Sequence, residues 1–242
     1  MKCNTFFSVL FVLAGYSIGQ EVVPRETINI RNDIAYKINS DTPFSGSVEE
    51  KYENGQIKEK ANYKDGKLAG ESVTYYRNGQ IKYKKNFKAG EKDGEWVTYK
   101  AGGQIEQKVN YKDGKMDGEW VYYYGNGKMM FRQNYKDSKR DGQCVYYYEN
   151  GQIKDKENHK DGKKDGEWVA YYDDGKIRNK KNYKDGKKDG EWVIYYENGQ
   201  IKWKGNYKYG VKDGEWVEYY ESGEIEQKDN YKDGKKDRGL IQ

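Results

Sequence analysis

Histidine and cysteine carry the most reactive side chains in this 242-residue chain, and both are scarce. His159 is the only histidine, and the two cysteines are Cys3 and Cys144. The sequence repeats itself at a fixed spacing. His159 occupies the position that Tyr183 occupies in the next repeat, and Cys144 occupies the position of Trp168. We therefore interpret His159 as a planar ring in a Tyr position and Cys144 as a small apolar residue in a Trp position. The alternatives are a metal or general-base role for His159, and an intermolecular disulfide through Cys144.

Carboxylates are abundant, but their pattern does not indicate catalysis. The commonest acidic loop reads Asp-Gly-Lys-Lys-Asp-Gly, as at 185–190. Calcium loops place acidic ligands at alternate positions, whereas here Asp185 and Asp189 flank two lysines that would repel a cation. Paired-carboxylate catalysis needs two groups in different environments, and these carboxylates recur from repeat to repeat in the same surroundings. We therefore read the loops as solvated turns and expect no enzyme, no metal and no cofactor.

Tryptophan side chains provide the candidate binding surface. Aromatic rings stack on sugars and on nucleic-acid bases, although their regular spacing here indicates a structural role first. The tryptophans of the candidate surface are Trp96, Trp120, Trp168, Trp192, Trp203 and Trp216.

Lysines form the second candidate surface. Lys202 and Lys204 alternate along one segment and would attract phosphates or anionic lipid head groups. Asp189 and Glu191 are close enough in sequence to neutralise most of that charge. The net charge is only +5, so a solvated face is the preferred interpretation, anionic-membrane association is an alternative, and no nucleic acid is expected as a partner.

These residues belong to a repeat with a 24-residue period. Charged residues make up 35% of the chain, and the mean hydropathy is −1.28, a composition that favours either disorder or a thin repeat array. The regular placement of 26 Tyr and 6 Trp favours the array. The repeat is marked by glycines at Gly46, Gly70, Gly94, Gly118, Gly142, Gly166, Gly190 and Gly214.

One repeat predicts one β-hairpin. Residues 191–196 are rich in aromatic and β-branched residues, which favour strands. Asn198-Gly199 follows, and Asn-Gly is typical of a two-residue type I′ turn. That turn would pair Tyr196 with Ile201, Ile194 with Trp203, Trp192 with Gly205 and Gly190 with Tyr207. The segment 184–190 is then predicted to be a linking loop.

Eight such hairpins predict about 16 strands in one sheet, about 75 Å long at about 4.8 Å per strand. The expected fold class is all-β: an elongated, twisted, antiparallel sheet of about eight tandem hairpins, open rather than closed. A closed β-solenoid is the alternative architecture.

The chain ends differ from the array. Residues 1–19 combine Lys2, a short apolar run and small residues before a cut near Gly19-Gln20, which predicts a cleavable signal peptide. Residues 20–44 form a lead-in with short strands, 45–237 the array, and 238–242 a tail.

The units GEWVxYYxNG and NYKDGKxDG resemble MORN repeats in the variant form typical of bacterial proteins. The resemblance covers about residues 36–237. It implies either a scaffold that organises partners or a toxin-neutralising protein like the YwqK-type antitoxins.

The sequence therefore predicts a non-enzymatic, monomeric scaffold that is secreted or periplasmic and binds another protein. The alternatives are a module that binds cell-wall glycan, an antitoxin-like protein, and a protein that associates with anionic membranes.

Overall fold

The computed structural model describes residues 21–237, which are almost entirely β. One short 3-10 turn occurs at Arg25–Thr27. The predicted signal peptide and the predicted tail lie outside the described residues. In chain order the strands are β1 (Val22–Pro24), β2 (Ile28–Arg31), β3 (Ile34–Lys37), β4 (Gly46–Lys51), β5 (Ile57–Lys64), β6 (Lys67–Tyr75), β7 (Ile81–Lys88), β8 (Glu91–Lys92), β9 (Gly94–Tyr99), β10 (Ile105–Lys112), β11 (Lys115–Tyr123), β12 (Met129–Lys136), β13 (Lys139–Tyr147), β14 (Ile153–Lys160), β15 (Lys163–Lys164), β16 (Gly166–Tyr171), β17 (Ile177–Lys184), β18 (Lys187–Tyr195), β19 (Ile201–Lys208), β20 (Val211–Tyr219), β21 (Ile225–Lys232) and β22 (Lys235–Lys236).

Twenty of these strands form one open sheet, and β2 and β3 form a separate hairpin. From β4 onward the chain is a meander in which successive strands pair antiparallel. The short strands β8 and β15 each share a neighbour with the strand that follows them. The predicted open all-β sheet of tandem hairpins is confirmed, and the closed alternative is wrong. One difference is that β1 pairs parallel with β4, because the chain passes through the β2–β3 hairpin before it enters the array.

The predicted register inside the hairpin is confirmed except next to the turn. Gly190 pairs with Tyr207, Trp192 with Gly205, and Ile194 with Trp203. The predicted pairing of Tyr196 with Ile201 is wrong, because a β-bulge shifts the register and Tyr195 takes that place.

The turn at Asn198-Gly199 is not the predicted type I′ turn. The Tyr196 N–H donates to the Gln200 carbonyl over 2.8 Å, and the Gly199 N–H donates to the Tyr196 carbonyl over 2.9 Å. Only Gly199 has a positive φ, of 89°. This is a type I turn followed by a glycine bulge. Asn198 is suited to it through its side chain, which accepts the Gln200 N–H at 2.9 Å.

The type I′ turn lies instead at the other end of the strands, in the segment predicted to be a linking loop. Lys184 pairs with Lys187, and Asp185 and Gly186 between them have φ values of 49° and 85°. That prediction was therefore wrong: the segment is a second hairpin, so each repeat pairs with the next one through a full ladder. The two turn types alternate, and the result is one continuous sheet.

Side-chain hydrogen bonds tie each repeat to the next at both edges of the sheet. At the Asp-Gly edge, the Asp189 carboxylate accepts the Tyr209 N–H over 3.1 Å, and Asp165 accepts the Asp185 N–H over 3.2 Å. At the Asn-Gly edge, tyrosine hydroxyls donate to backbone carbonyls in the next repeat, over 2.6–2.9 Å. The donors are Tyr52, Tyr76, Tyr124, Tyr148, Tyr172 and Tyr196.

The N-terminal segment covers the first edge of the array. Val23 on β1 packs with Phe44 and Val48, and all three side chains are buried. The Gly66 N–H donates to the Phe44 carbonyl over 2.8 Å, which fixes this segment to the first Asp-Gly turn. Because β1 hydrogen-bonds along β4, the first array strand does not present an open edge.

The array is a single layer. Substantial contacts between strands join only neighbours in the ladder. At the N-terminal end the β2–β3 hairpin packs on Val48 and Tyr63 of the first repeat, and beyond that end no second sheet among residues 21–237 packs on either surface. One surface carries a column of buried valines, which we call the valine face: Val73, Val97, Val121, Val145, Val169, Val193 and Val217.

Candidate binding face

The opposite surface carries the tryptophans, and we call it the aromatic face. Alternation along the strands separates it from the valine face, so Trp192 and Val193 point to opposite sides. Trp203 lies on the same face as Trp192, one column away, opposite Ile194 and Glu218. Five of the six predicted residues share one column: Trp96, Trp120, Trp168, Trp192 and Trp216.

Aromatic rings form a continuous ladder on this face from Trp168 to Tyr231. Tyr183 contacts Trp192 with 5.4 Å between ring centroids, and Trp192 contacts Tyr207 at 4.8 Å. The ladder continues to Trp216 at 5.1 Å and to Tyr231 at 6.2 Å. Such pairs contribute about 0.5–1.5 kcal/mol each beyond burial. The rings therefore hold successive repeats together, as their spacing indicated.

Three of the indoles, those of Trp96, Trp192 and Trp216, donate their N–H groups to backbone carbonyls of the sheet. The Trp192 Nε1–H donates to the Asn182 carbonyl over 3.0 Å, and the Trp96 Nε1–H donates to the Asn86 carbonyl over 2.9 Å. These bonds use the polar edge of the indole and fix its orientation. What the rings offer to a ligand is therefore their flat surface.

Lysines lie over the rings, a feature that sequence reasoning missed. The Lys188 Nζ is 4.4 Å from the Trp192 ring centroid and 4.6 Å from that of Tyr207. Lys212 lies 4.1 Å from Trp216. These lysines belong to the loops read as solvated turns, yet the type I′ hairpin turns them onto the aromatic face. The pattern recurs at Lys92, Lys164, Lys188 and Lys212.

The lysines of the valine face are arranged differently. Lys108 and Lys228 lie 3.6 Å and 2.6 Å from Glu95 and Glu215. Arg132 lies 3.9 Å from Glu119, in the equivalent position of another repeat. Acidic partners thus neutralise these cations, although each exposed pair contributes at most about 1 kcal/mol. The predicted pairing of Lys202 and Lys204 with Asp189 and Glu191 does not form among the described residues, and Lys202 lies 5.5 Å from the Tyr196 ring centroid instead. The two faces therefore differ in how their positive charge is balanced.

The middle of the aromatic face is polar. We call Gln133, Arg140, Cys144, Tyr146, Glu157 and His159 the central cluster. Cys144 occupies the Trp column, paired with Gln133 and Glu157. His159 occupies the Tyr column opposite Gly142. Both positions were predicted; their convergence with Glu157 was missed, although the hairpin register already pairs residues 144 and 157.

Hydrogen bonds hold one side of the central cluster. The Gln133 Nε2–H donates to the Tyr146 hydroxyl over 2.8 Å, and the Tyr135 hydroxyl donates to Gln133 Oε1 over 3.0 Å. On the other side, His159 Nε2 lies 3.7 Å from Glu157 Oε2, and its buried Nδ1 has no hydrogen-bond partner in the described part of the chain. The imidazole is therefore incompletely satisfied.

Burial shifts the pKa values of several of these groups toward their neutral forms. It raises the pKa of the Glu157 carboxyl and, with the nearby Glu157, raises the pKa of Tyr146 to about 12. Burial lowers the pKa of His159, and Arg140 and Lys164 lower it further. Burial also raises the pKa of the Cys144 thiol, which is fully buried. A thiol of this kind is unreactive, and its burial opposes the intermolecular disulfide kept as an alternative.

No group of three or more His, Cys, Asp or Glu residues within 21–237 is arranged to hold a metal ion. The loop carboxylates accept backbone N–H groups of the neighbouring turn instead. The solvated-turn interpretation is corrected to that extent, because these aspartates link repeats.

Comparison with known proteins identifies the repeat. The model of the "MORN repeat variant" matches the chain eight times, at residues 45–65, 68–89, 92–113, 116–137, 140–161, 164–185, 188–209 and 212–233. A search of the curated proteins finds no match.

Two solved structures show a distant likeness. The crystal structure of TcdB2-TccC3 matches at 12% identity with a TM-score of 0.23, over 80% of this chain and 14% of that chain. The Photorhabdus luminescens Tc holotoxin pore with the TccC3-D651A mutation matches at 11% identity with a TM-score of 0.19, over 85% of this chain and 14% of that chain. With TM-scores this low, neither likeness bears on fold or function. The eight repeat matches do identify the family: the chain belongs to the MORN repeat variant family.

Proposed function

We propose that this protein is a non-enzymatic scaffold that binds an acidic segment of another protein on its aromatic face. MORN repeats commonly mediate protein or membrane interactions. The observation that carries the proposal is that, beyond the N-terminal end where the lead-in packs on Val48 and Tyr63, the aromatic face runs along the array and no other described element covers it. Long, uncovered surfaces of stacked repeats are typical binding surfaces.

The charge of the aromatic face favours an acidic partner. Lys188 and Lys212 hold their ammonium groups over rings, whereas Lys108 and Lys228 on the valine face meet carboxylates. A partner carboxylate can therefore pair with Lys188 without displacing an internal salt bridge. The adjacent ring adds apolar contact, and aromatic residues are enriched at protein interfaces.

The non-enzymatic part of the proposal is supported by the central cluster. Its thiol and imidazole have pKa values shifted toward their neutral forms, which disfavours a Cys–His ion pair of the kind used in nucleophilic catalysis. A toxin-neutralising role of the YwqK type is a narrower form of protein binding and stays a proposal. We also propose that the protein acts as a monomer, since β1 covers one edge of the sheet.

Secretion or export to the periplasm is supported by the sequence of residues 1–19. Within residues 21–237, no helix has the length and apolar character needed to cross a membrane. Fractionation of the native cells tests this part, with mass spectrometry of the N-terminus. We expect a mature chain beginning near Gln20 outside the cytoplasm, and an uncleaved cytoplasmic protein would contradict it.

Site-specific photo-crosslinking tests the binding face. A photoreactive phenylalanine replaces Phe131 on the aromatic face, and in a matched control it replaces Met130, whose side chain points to the valine face. We expect protein crosslinks in the native envelope fraction from position 131 only. Lys188→Glu should reduce crosslinking, and Lys204→Glu on the valine face should leave it unchanged.

Three results would contradict the proposal. Equal crosslinking from both positions would show that the face is not selective. Crosslinking to lipid alone, with binding to anionic vesicles, would favour the membrane alternative. An unchanged yield with Lys188→Glu would remove the role of the ring-bound lysines.

A further inference from the structure

The last two repeats form a cavity of about 340 Å³ on the aromatic face. Trp203 and Trp216 line it, with Tyr207 and Tyr231 beside them. A larger hollow of about 670 Å³ lies between the lead-in and β4, but its lining has no aromatic ring. Lining chemistry, rather than volume, makes the smaller cavity the candidate ligand site.

Two sequence features specific to these repeats create the cavity. Gly205 occupies a position in the Trp column, and a Cβ there would come 2.3 Å from the Trp216 ring. The absence of that Cβ allows the indole of Trp216 to lie against the strand backbone. Trp203 fills a variable position, where the preceding repeats have Asp155 and Asn179. The two indoles are 5.2 Å apart at their centroids, with planes 29° apart.

Tyrosines stand beside this near-parallel pair. The Tyr207 ring meets Trp216 at 88°, and the Tyr231 ring meets it at 73°. The two indoles are stacked on each other, so the outer face of the Trp203 indole is the flat surface of the cavity, and the two tyrosines stand upright beside Trp216. A stacked pair with an upright ring also occurs at Phe131, which stacks on Tyr122 and meets Trp120 edge-on, whereas the rings from Trp168 to Tyr207 are tilted against one another.

The rim supplies hydrogen-bonding groups of both kinds. Glu218 lies directly opposite Trp203, and Gln227 lies opposite Glu218; both side chains are exposed. Lys212 and Asp229 complete the lining. Acceptors and donors are therefore both present around a flat apolar floor, which is the mixture expected of a site that orients a small polar ligand.

We propose that this cavity binds a neutral pyranose, as one unit of an oligosaccharide. The C–H face of a pyranose is flat and packs on an electron-rich indole, and its hydroxyls both donate and accept hydrogen bonds. Charges of both signs lie at the rim, because Glu218 and Asp229 stand beside Lys212 and Asp229 is 2.6 Å from Lys236, so the rim does not select for a charged ligand. Lys212 already lies over Trp216 and Tyr231, so the ring face left for the sugar is that of Trp203, over which no cation lies among residues 21–237. The proposal is independent of the protein-binding function.

The test uses the purified full chain and soluble oligosaccharides, namely N-acetylglucosamine dimers to tetramers, cellotriose and maltotriose. Each of the six indole N–H groups gives its own NMR signal. We expect saturable shifts of the Trp203 and Trp216 signals with at least one of these sugars. Trp203→Asn, which installs the residue of position 179, should weaken binding by about tenfold or more. Tyr83→Asn, the same change in the same column of an early repeat, should leave it unchanged.

Glu218→Gln is a second variant, at an exposed position where loss of folding is not expected. It should weaken binding several-fold, because a carboxylate acceptor becomes a weaker neutral one. The absence of saturable shifts with every sugar at about 10 mM would overturn the proposal. Shifts confined to the other four tryptophans, or equal affinity of Trp203→Asn and wild type, would also overturn it. None of these outcomes bears on the crosslinking test of protein binding.

Discussion

His159→Tyr replaces the buried imidazole with the side chain found at this position in most other repeats, and we expect it to stabilise the protein. His159 is 6% exposed, and its Nδ1 has no partner among residues 21–237. A buried polar atom left unsatisfied costs about 1–3 kcal/mol. Tyr keeps a planar ring in the ladder opposite Gly142, as Tyr183 does opposite Gly166. We expect a gain of about 1 kcal/mol at pH 8.

The gain should increase as the pH falls. Burial, together with Arg140 and Lys164, lowers the pKa of His159 in the folded state. Above the unfolded pKa of about 6.5, the imidazole is neutral in both states and this effect is absent. Below that pH the unfolded chain binds a proton that the folded protein resists, so the wild type loses stability. One proton limits the slope to about 1.4 kcal/mol per pH unit.

Urea unfolding at pH 8, 7, 6 and 5, followed by tryptophan fluorescence, measures the difference between variant and wild type. Glu157 and Asp155 have raised pKa values, which act in the opposite direction, but both proteins contain them, so most of their effect cancels in the difference. A difference that is constant from pH 8 to 5, or that decreases toward pH 5, would refute the reasoning.

Three further predictions concern the contacts between repeats. Tyr196→Phe should lower the free energy of unfolding by about 0.5–1.5 kcal/mol, because the hydroxyl bond to the Tyr219 carbonyl is lost; Tyr220→Phe is the control, since Tyr220 is 49% exposed and its hydroxyl has no such acceptor among residues 21–237. Equal effects of the two substitutions in thermal melts would contradict this. Lys100→Tyr should raise the melting temperature, because position 100 is the same turn position and makes the same backbone bond to Gln104; no change would contradict it. Cys144 should react with a thiol reagent only on unfolding, since it is fully buried and its thiol pKa is raised; prompt labelling of the native protein would contradict it.

The repeat and the hairpin register were predictable because they depend on local pattern. The pairing of Gly190 with Tyr207 follows from the repeat period and the position of the Asn-Gly turn. The turn type was not predictable from the dipeptide alone. Asn-Gly suits a type I′ turn, and it equally suits a type I turn with a glycine bulge, in which only the glycine needs a positive φ.

The second hairpin was missed because its sequence is made of charged residues and turn formers. Residues Lys187 to Gly190 form a strand because they pair with β17. Tertiary contacts here override the weak strand propensity of the residues themselves. The lysines over the rings were missed for the same reason. Placing Lys188 on the aromatic face requires the strand alternation that begins at Asp185-Gly186.

The candidate sites were predictable in part. The six tryptophans were identified as one surface, and the variable position of Trp203 was visible from the period. The aromatic cavity could not be predicted, because it forms only when the Trp216 indole packs against Gly205. That contact depends on the pairing of β19 with β20. Those two strands pair through the second type of hairpin, in the part of the repeat that was predicted to be a linking loop.

The central claim is that the array is one uncovered layer, so that its aromatic face is open to a partner. Small-angle X-ray scattering of the purified protein measures this most directly. About 17 strand positions at about 4.8 Å give a length of about 80 Å, and hence a radius of gyration of roughly 25 Å. A compact protein of this size would give about 18 Å, and an unfolded chain about 54 Å. We expect the elongated value, together with an elongated distance distribution, and the compact value would contradict the claim.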